Sequence, residues 1–251
     1  MSSHKFLKTK TPQPIAHRGG SFFGAENTMD CFEHAINMGF KTIETDIQAT
    51  KDNKLVVFHD LTLDRLTSEK GIIKEKTWNE LKNIKVLGKF QIPLLSDIFN
   101  IWPEIKINID PKNDHCIDEL IRFLEINDYF DKICIGSFSG KRLEKLRDVF
   151  GSKLCTSAGP KEVLKLKLAS IISNHNISID AQCVQVPIKY YGIKIIDRKF
   201  IEFCHNLNLK VHVWTINDIL EMEKLLDLGV DGIISDNLEG LKTVFCKRKI
   251  W

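Results

Sequence analysis

Lys41-Thr42-Ile43-Glu44-Thr45-Asp46-Ile47-Gln48, followed shortly by Leu55-Val56-Val57-Phe58-His59-Asp60, decides how this chain is read. In the first segment Thr42, Glu44, Asp46 and Gln48 alternate with Ile43, Thr45 and Ile47. That is the two-residue period of a strand, in which alternate side chains share a face. Glu44 and Asp46 therefore stand close together on one face. Two carboxylates so placed repel unless a cation lies between them or one keeps its proton. Such a face can simply be turned to water, but helical patterns flank this strand, and a strand covered on both sides is buried. The second segment is apolar up to His59-Asp60. Asp52-Asn53 between the two suits a hairpin turn, which folds His59 back towards the acidic pair.

Outward from this centre the chain alternates strand and helix. A strand at 14–16 ends in His17-Arg18-Gly19-Gly20, where two glycines allow a sharp turn and a close approach of backbone to ligand. Asn27 or Thr28 caps a helix over 29–38, whose apolar side is Met29, Phe32, Ala35, Ile36 and Met38 and which stops at Gly39. Residues 61–93 depart from the pattern, being polar with one weak helical stretch around 78–81. Strands at 106–110, 132–136, 153–156, 181–186, 209–215 and 232–235 then alternate with helices at 94–101, 114–126, 140–150, 160–173, 198–207, 217–228 and from 238. With 55–58 as a hairpin arm, eight strands are each followed by a helix. Within 251 residues that count predicts an α/β fold, a closed (β/α)8 TIM barrel with a small insertion, 60–93, after the second strand. An open doubly wound sheet is the runner-up, and it lacks its Gly-x-Gly-x-x-Gly turn after the first strand. One domain over 1–251 is expected.

Composition narrows the setting. At 43% hydrophobic residues the chain can fill a large core, and a net charge of only +3 gives no indication of a nucleic-acid partner. Seven scattered cysteines, an odd number without metal-clip spacing, fit reduced and mostly buried thiols in the cytoplasm. Residues 1–13 are polar and basic without the apolar centre of a signal peptide, and no apolar run is long enough to span a bilayer. The C-terminal run Phe245-Cys246-Lys247-Arg248-Lys249-Ile250-Trp251 mixes basic and aromatic residues and reads as a solvated, frayed end.

A barrel of this kind carries its active site at the C-terminal ends of the strands. The polar residues there are His17 and Arg18, Glu44 and Asp46, His59 from the hairpin, Asp110 and Lys112, Trp214, and Ser235 with Asp236. A single histidine would mean little, but this many groups converging on one rim suit metal-assisted cleavage of a phosphate ester. Glu44, Asp46 and Asp110 offer hard oxygens that favour magnesium or calcium over zinc. Arg18 and Lys112 can hold phosphate oxygens, and His17 and His59 can serve as general base and general acid. Trp214 reads as a wall of the substrate pocket.

The ordered series His17-Arg18-Gly19, Glu26-Asn27-Thr28, Glu44-x-Asp46, His59-Asp60 and Asp110-x-Lys112 resembles the glycerophosphodiester phosphodiesterase family. Trp214-Thr215-Ile216-Asn217 and Gly229-Val230-Asp231-Gly232-Ile233-Ile234-Ser235-Asp236 look like that family's last two strands, so the resemblance runs from about Ile15 to Asp236. It implies a phosphatidylinositol-phosphodiesterase-like TIM barrel that hydrolyses glycerophosphodiesters to glycerol 3-phosphate and an alcohol with a divalent metal. It further implies His17 and His59 as the acid–base pair and Glu44, Asp46 and Asp110 as metal ligands. The glycerol 2-hydroxyl would attack phosphorus first, and water would then open the cyclic phosphate. Ala25 stands where the family often has Pro, and Asp110 where many members have Glu, one methylene longer. Glu26 is expected to pair with Arg18 rather than to bind metal. Two alternatives remain beside this reading: a phospholipase D-like activity on lysophospholipids or sphingomyelin, and a barrel that binds a phosphodiester without cleaving it. The second would be expected to lack one of the histidines, and both are present.

Overall fold

The acidic segment forms the strand Thr42–Ala49, and all eight of its residues are buried. The computed structural model describes residues 4–20, 24–174 and 176–251. Eight parallel strands make one sheet: β1 (Gln13–Ala16), β2 (Thr42–Ala49), β3 (Lys106–Pro111), β4 (Ile133–Ile135), β5 (Cys155–Thr156), β6 (Cys183–Val186), β7 (Lys210–Val213) and β8 (Gly232–Ser235). Their order is β5-β4-β3-β2-β1-β8-β7-β6. The two ends of that order meet where Ser157 bridges Cys183 in parallel. There the Ala158 N–H donates to the Cys183 carbonyl at 2.8 Å and the Gln182 N–H to the Thr156 carbonyl at 3.0 Å. The sheet is thus a nearly closed eight-stranded barrel, as the alternation predicts.

Helices cover the outside: α1 (Met29–Asn37), α2 (Leu95–Ile101), α3 (His115–Ile126), α4 (Gly140–Phe150), α5 (Pro160–Ile172), α6 (Arg198–Asn206), α7 (Ile219–Leu228) and α8 (Leu238–Lys247). Several begin on side-chain caps worth about 1 kcal/mol each. Asp197 accepts from the Phe200 N–H at 2.8 Å, Asp218 from Glu221 at 2.8 Å and Asn237 from Gly240 at 2.9 Å. On β2 the apolar positions Ile43 and Ile47 join the core beneath these helices. The alternate positions point into the barrel, where Glu44 lies level with Asn108 and Asp46 level with Asp110. The interior is polar at mid-height, with Gln185 Nε2 donating to Asn108 Oδ1 at 3.0 Å and 3.4 Å from His212 Nδ1. No helix among the described residues is long and apolar enough to cross a membrane.

The predicted hairpin is present. The arm Leu55–Val57 pairs antiparallel with β2 in the register Ile47↔Val57, and Asn53 takes a φ of 62° at the turn. Residues 60–93 hold a small core of their own, in which Leu63, Ile73, Leu81, Val86 and Ile92 pack on Val56 and Phe58. The helical stretch expected there is Trp78–Leu81.

Both ends are packed more firmly than their composition suggests, and one expectation, that of a frayed C-terminus, needs correction. The N-terminal stretch, polar and basic without the apolar centre of a signal peptide, still supplies Phe6 and Leu7 to the floor of the barrel. They sit in the 3-10 turn Lys5–Leu7, buried against Cys134, Cys155 and Cys183. Burying a Phe or Leu contributes roughly 1.5–3 kcal/mol, so two apolar residues suffice to anchor a polar segment. The C-terminal tail is not frayed. Trp251 packs edge-on against Phe40 at 5.0 Å, Lys242 Nζ lies 5.3 Å from its ring centre, and Arg248 bonds to Glu223 and Asp227. Lys247 and Arg248 of the tail pair with acids on α7, which composition alone cannot reveal.

Candidate active site

β1 stops at Ala16 because the chain turns sharply: Arg18 lies at φ 51° and Gly20 at φ 92°. A Cβ on Gly20 would also come within 2.6 Å of Leu238, so only glycine fits this turn. The turn sets His17 in the mouth of the barrel and points the Arg18 backbone N–H at Glu44 Oε2, 3.1 Å away. His17 Nδ1 is 2.7 Å from Asp236 Oδ1, at the end of β8, and its Nε2 is 3.7 Å from Glu44 Oε2. Burial alone would lower the pKa of His17. Glu44 and then Asp236 outweigh it and raise the pKa, which favours the imidazolium.

The three carboxylates lie side by side. Burial, and then repulsion from Asp46, pushes Glu44 well above the usual carboxylate range. Asp46 is equally buried, but Lys112 and then Arg18 overcome that penalty and hold it below its ordinary value. Lys112 Nζ bridges Asp46 Oδ1 at 2.8 Å and Asp110 Oδ2 at 2.9 Å. Burial raises Asp110 despite this contact. Arg18 Nη1 pairs with Glu26 Oε1 at 2.8 Å, the pairing expected from sequence. Its Nε is 3.1 Å from Asp46 Oδ2 yet makes no hydrogen bond among the described residues, the alignment being poor. A buried donor left this way costs about 1–3 kcal/mol and is rare outside functional sites.

His59 enters from the hairpin arm, its Nδ1 2.6 Å from Asp60 Oδ1. Arg65 then grips Asp60 through Nε and reaches Glu26 Oε1 at 2.6 Å with Nη2. These bonds, Arg65 first, hold Asp60 down at about 2. His17, Arg18, Glu44, Asp46, His59, Asp110, Lys112 and Trp214 all line one cavity of about 670 Å³. Of the other two rim residues read from sequence, Asp236 stands behind His17, and Ser235 is buried, its Oγ donating to Asn217 Oδ1 at 3.1 Å; neither lines the cavity.

It also adds residues that the sequence left without a role. Asn27, read as a possible helix cap, instead donates from Nδ2 to Asp46 Oδ2 at 2.8 Å and accepts from Thr45 Oγ1 at 2.7 Å, while Thr28 caps α1. Its φ of 59° makes this turn possible. Asn217, placed in a helix from the sequence, precedes α7. It accepts from the Asp236 N–H at 2.9 Å and donates to Asp236 Oδ2 at 3.0 Å. Arg65 lay in a segment read as an excursion, and its position five residues past Asp60 was the available signal.

The sequence pattern of the Glycerophosphoryl diester phosphodiesterase family matches residues 17–239. The chain belongs to that family. It is an enzyme of the phosphodiester-hydrolysing class. A glycerophosphodiester phosphodiesterase from Caldanaerobacter subterraneus subsp. tengcongensis is 28% identical over 241 residues, covering 90% of this chain and 95% of the relative. Lysophospholipase D GDPD1 of Mus musculus is 25% identical over 264 residues, covering 91% and 84%. Among solved structures, an Oleispira antarctica phosphodiesterase in complex with the product sn-glycerol-3-phosphate has the same fold. Its TM-score is 0.76 at 22% identity, with 94% of this chain and 97% of that one covered.

Proposed function

We propose that the chain hydrolyses glycerophosphodiesters to glycerol 3-phosphate and an alcohol, with a divalent metal, magnesium or calcium, held by Glu44, Asp46 and Asp110. The observation that carries this reading is the histidine pair. His17 and His59 each commit Nδ1 to a carboxylate, Asp236 and Asp60, while lining the same cavity above the acidic cluster. An imidazole held in this way accepts a proton at Nε2 when neutral and returns it when charged.

The donor set fits a hard cation. All three candidate ligands are carboxylates, and the burial and the repulsion from Asp46 that raise Glu44 would both be offset by a positive charge. The ion would supply a Lewis acid for a phosphate oxygen. Arg18, with its unsatisfied Nε, and Lys112 hold the other phosphate oxygens. One histidine removes the proton from the glycerol 2-hydroxyl as that oxygen bonds to phosphorus. The other protonates the alcohol as its bond to phosphorus breaks. Water then opens the five-membered cyclic phosphate with the two roles exchanged. The attacking hydroxyl is part of the substrate, so proximity replaces a covalent enzyme intermediate.

Residues 1–251 act as one domain in this proposal, with 60–93 as the insertion that carries Asp60 and Arg65. A cytoplasmic setting agrees with seven free cysteines, six of them buried. No nucleic acid and no stable membrane insertion enters the reading. A lysophospholipid with a free 2-hydroxyl would undergo the same chemistry, and the apolar wall of Phe138, Val186, Tyr190 and Trp214 favours it as a second substrate.

The test is a metal-supplemented assay on glycerophosphocholine, glycerophosphoethanolamine, glycerophosphoglycerol and lysophospholipids that identifies the product carrying phosphate. Glycerol 3-phosphate, or its acylated form, is expected, with loss of turnover in chelator and recovery in magnesium or calcium. Full activity in excess chelator would overturn the metal assignment, and phosphocholine as product would overturn the cleavage site.

A further inference from the structure

The helix α5 buries Leu166 and Ala169 in the core yet leaves a second apolar side uncovered. A surface helix buries its apolar side and offers charge to water. Here Lys167 and Ser170 are on the buried side, Lys167 Nζ bonding to the Ile195 carbonyl at 3.0 Å and to Asp197 Oδ2 at 2.5 Å. The outer side carries Leu164, Leu168, Ile171 and Ile172, each more than half exposed. Their spacing of three to four residues puts them in one stripe.

Leu164, in this stripe, shares the lining of the catalytic cavity with a short hairpin, Lys189–Tyr190 paired antiparallel with Ile193–Lys194. Tyr191 and Gly192 form its tip at φ 46° and 79°, and Tyr191 is 89% exposed. Tyr190 meets Tyr191 edge-on at 4.6 Å. Leu164, Tyr190 and Ile193 are exposed and also line the catalytic cavity, as does Phe138, which packs on Trp214 at 5.6 Å. The outer apolar surface and the cavity wall are therefore one continuous surface. Basic residues border it: Lys161 and Lys165 on α5, Lys189 and Lys194 on the hairpin, all exposed. The one acid on α5, Glu162, is turned away onto Arg147 at 2.9 Å.

We infer that the outer side of α5 and the hairpin 189–194 form a docking surface for an anionic lipid membrane, from which a lipid-bearing phosphodiester enters the cavity. An apolar patch of this kind marks an interaction site. Aromatic and aliphatic side chains within a lysine border match a negatively charged lipid interface, where lysines meet headgroups and the apolar stripe meets acyl chains. A protein partner would have no need for the apolar surface to continue into the catalytic cavity, whereas a substrate lifted from a bilayer requires that continuity. The substrate part of this inference rests on the hydrolytic function proposed above, and the docking itself does not.

The experiment is sedimentation with vesicles of phosphatidylcholine alone or mixed with phosphatidylglycerol, on wild type, the double variant Leu168→Asp/Ile172→Asp and the double variant Lys165→Glu/Lys194→Glu. None of these four residues lines the cavity. Wild type is expected to bind the anionic vesicles at least tenfold more tightly than the neutral ones, and each double variant to lose tenfold or more. Hydrolysis of dissolved glycerophosphocholine should stay unchanged in both, which also certifies their fold, while hydrolysis of vesicle-borne lysophosphatidylglycerol falls with binding. Wild type that stays in the supernatant with anionic vesicles would overturn the inference, as would a Leu168→Asp/Ile172→Asp protein that sediments like wild type. A wild-type dimer by light scattering that this variant dissociates, without vesicle binding, would give the surface to a second copy and equally overturn it. If wild type binds vesicles but cleaves no glycerophosphodiester, the hydrolytic reading fails while the docking stands.

Discussion

His17 Nδ1 lies 2.7 Å from Asp236 Oδ1, and the two residues come from opposite ends of the chain, 219 positions apart. The contact exists because β1 and β8 are neighbours, with Ala16 level with Ser235. Closing the barrel is what completes this half of the site. Asn217 fixes Asp236 in turn, so the histidine is oriented by a chain of polar groups rather than by packing.

Asp236→Asn keeps the shape but removes the charge that helps raise His17. The expected result is a loss of turnover smaller than that of His17→Ala, with the limb of the pH–rate profile that reports His17 displaced to lower pH. An unchanged profile would mean that Asp236 only fills space.

Arg65 joins the two halves of the site, holding Asp60 behind His59 and Glu26 behind Arg18. Arg65→Met should lower kcat about tenfold with little change in KM, because the histidine loses its brace rather than the substrate its contacts. The stability cost should stay below about 1 kcal/mol, since Arg65 is half exposed. Arg65→Lys restores the charge but not the planar fork and should recover only part of kcat. Full recovery would refute the bracing role.

Asp231 tests the linkage between charge and stability away from the site. Burial would raise its pKa, but hydrogen bonds from His205, Lys210 and the Val211 N–H outweigh it and hold it at about 2, against 3.8 ordinarily. A folded-state pKa below the unfolded one gives stability that is present above about pH 4 and lost as pH falls towards 2. The contribution is on the order of 2 kcal/mol. Urea unfolding of Asp231→Asn should reveal that deficit at pH 7, and the gap to wild type should narrow steadily between pH 4 and pH 2. A gap independent of pH would place the cost in packing.

Much of this was legible in the sequence, for reasons that differ by residue. Glu44 and Asp46 could be read because strand alternation is local and the repulsion between two acids on one face is unavoidable. His59 could be read because a short turn, here the five residues between the paired Ala49 and Leu55, determines where the hairpin arm returns. Asp236 could be placed on the rim from its position after the last strand, but its pairing with His17, like the partners of Asn217 and Arg65, is settled only by barrel closure and by the fold of the insertion. Phe6 was hidden for the same reason: one aromatic residue in a basic stretch becomes core only when a barrel floor lies above it. α5 was legible as a helix over 160–173, but which of its sides faces water is known only once Lys167 has found Asp197.

A substrate whose glycerol 2-hydroxyl is removed or methylated keeps its phosphate contacts and should still bind, measured as competitive inhibition of glycerophosphocholine cleavage, without being turned over. Efficient cleavage of the 2-deoxy compound would show direct attack by water and replace the cyclic-phosphate route, leaving the hydrolytic assignment intact.

The most direct measurement is kcat for glycerophosphocholine in the single variants His17→Ala and His59→Ala, with folding checked by circular dichroism and magnesium or calcium supplied. General acid and base groups each contribute about 10²–10⁴-fold. Each variant should therefore lose at least a hundredfold in kcat, and the wild-type rate should be bell-shaped in pH, with limbs that belong to the pair. A well-folded variant of either histidine that retains more than a tenth of wild-type turnover would contradict the account.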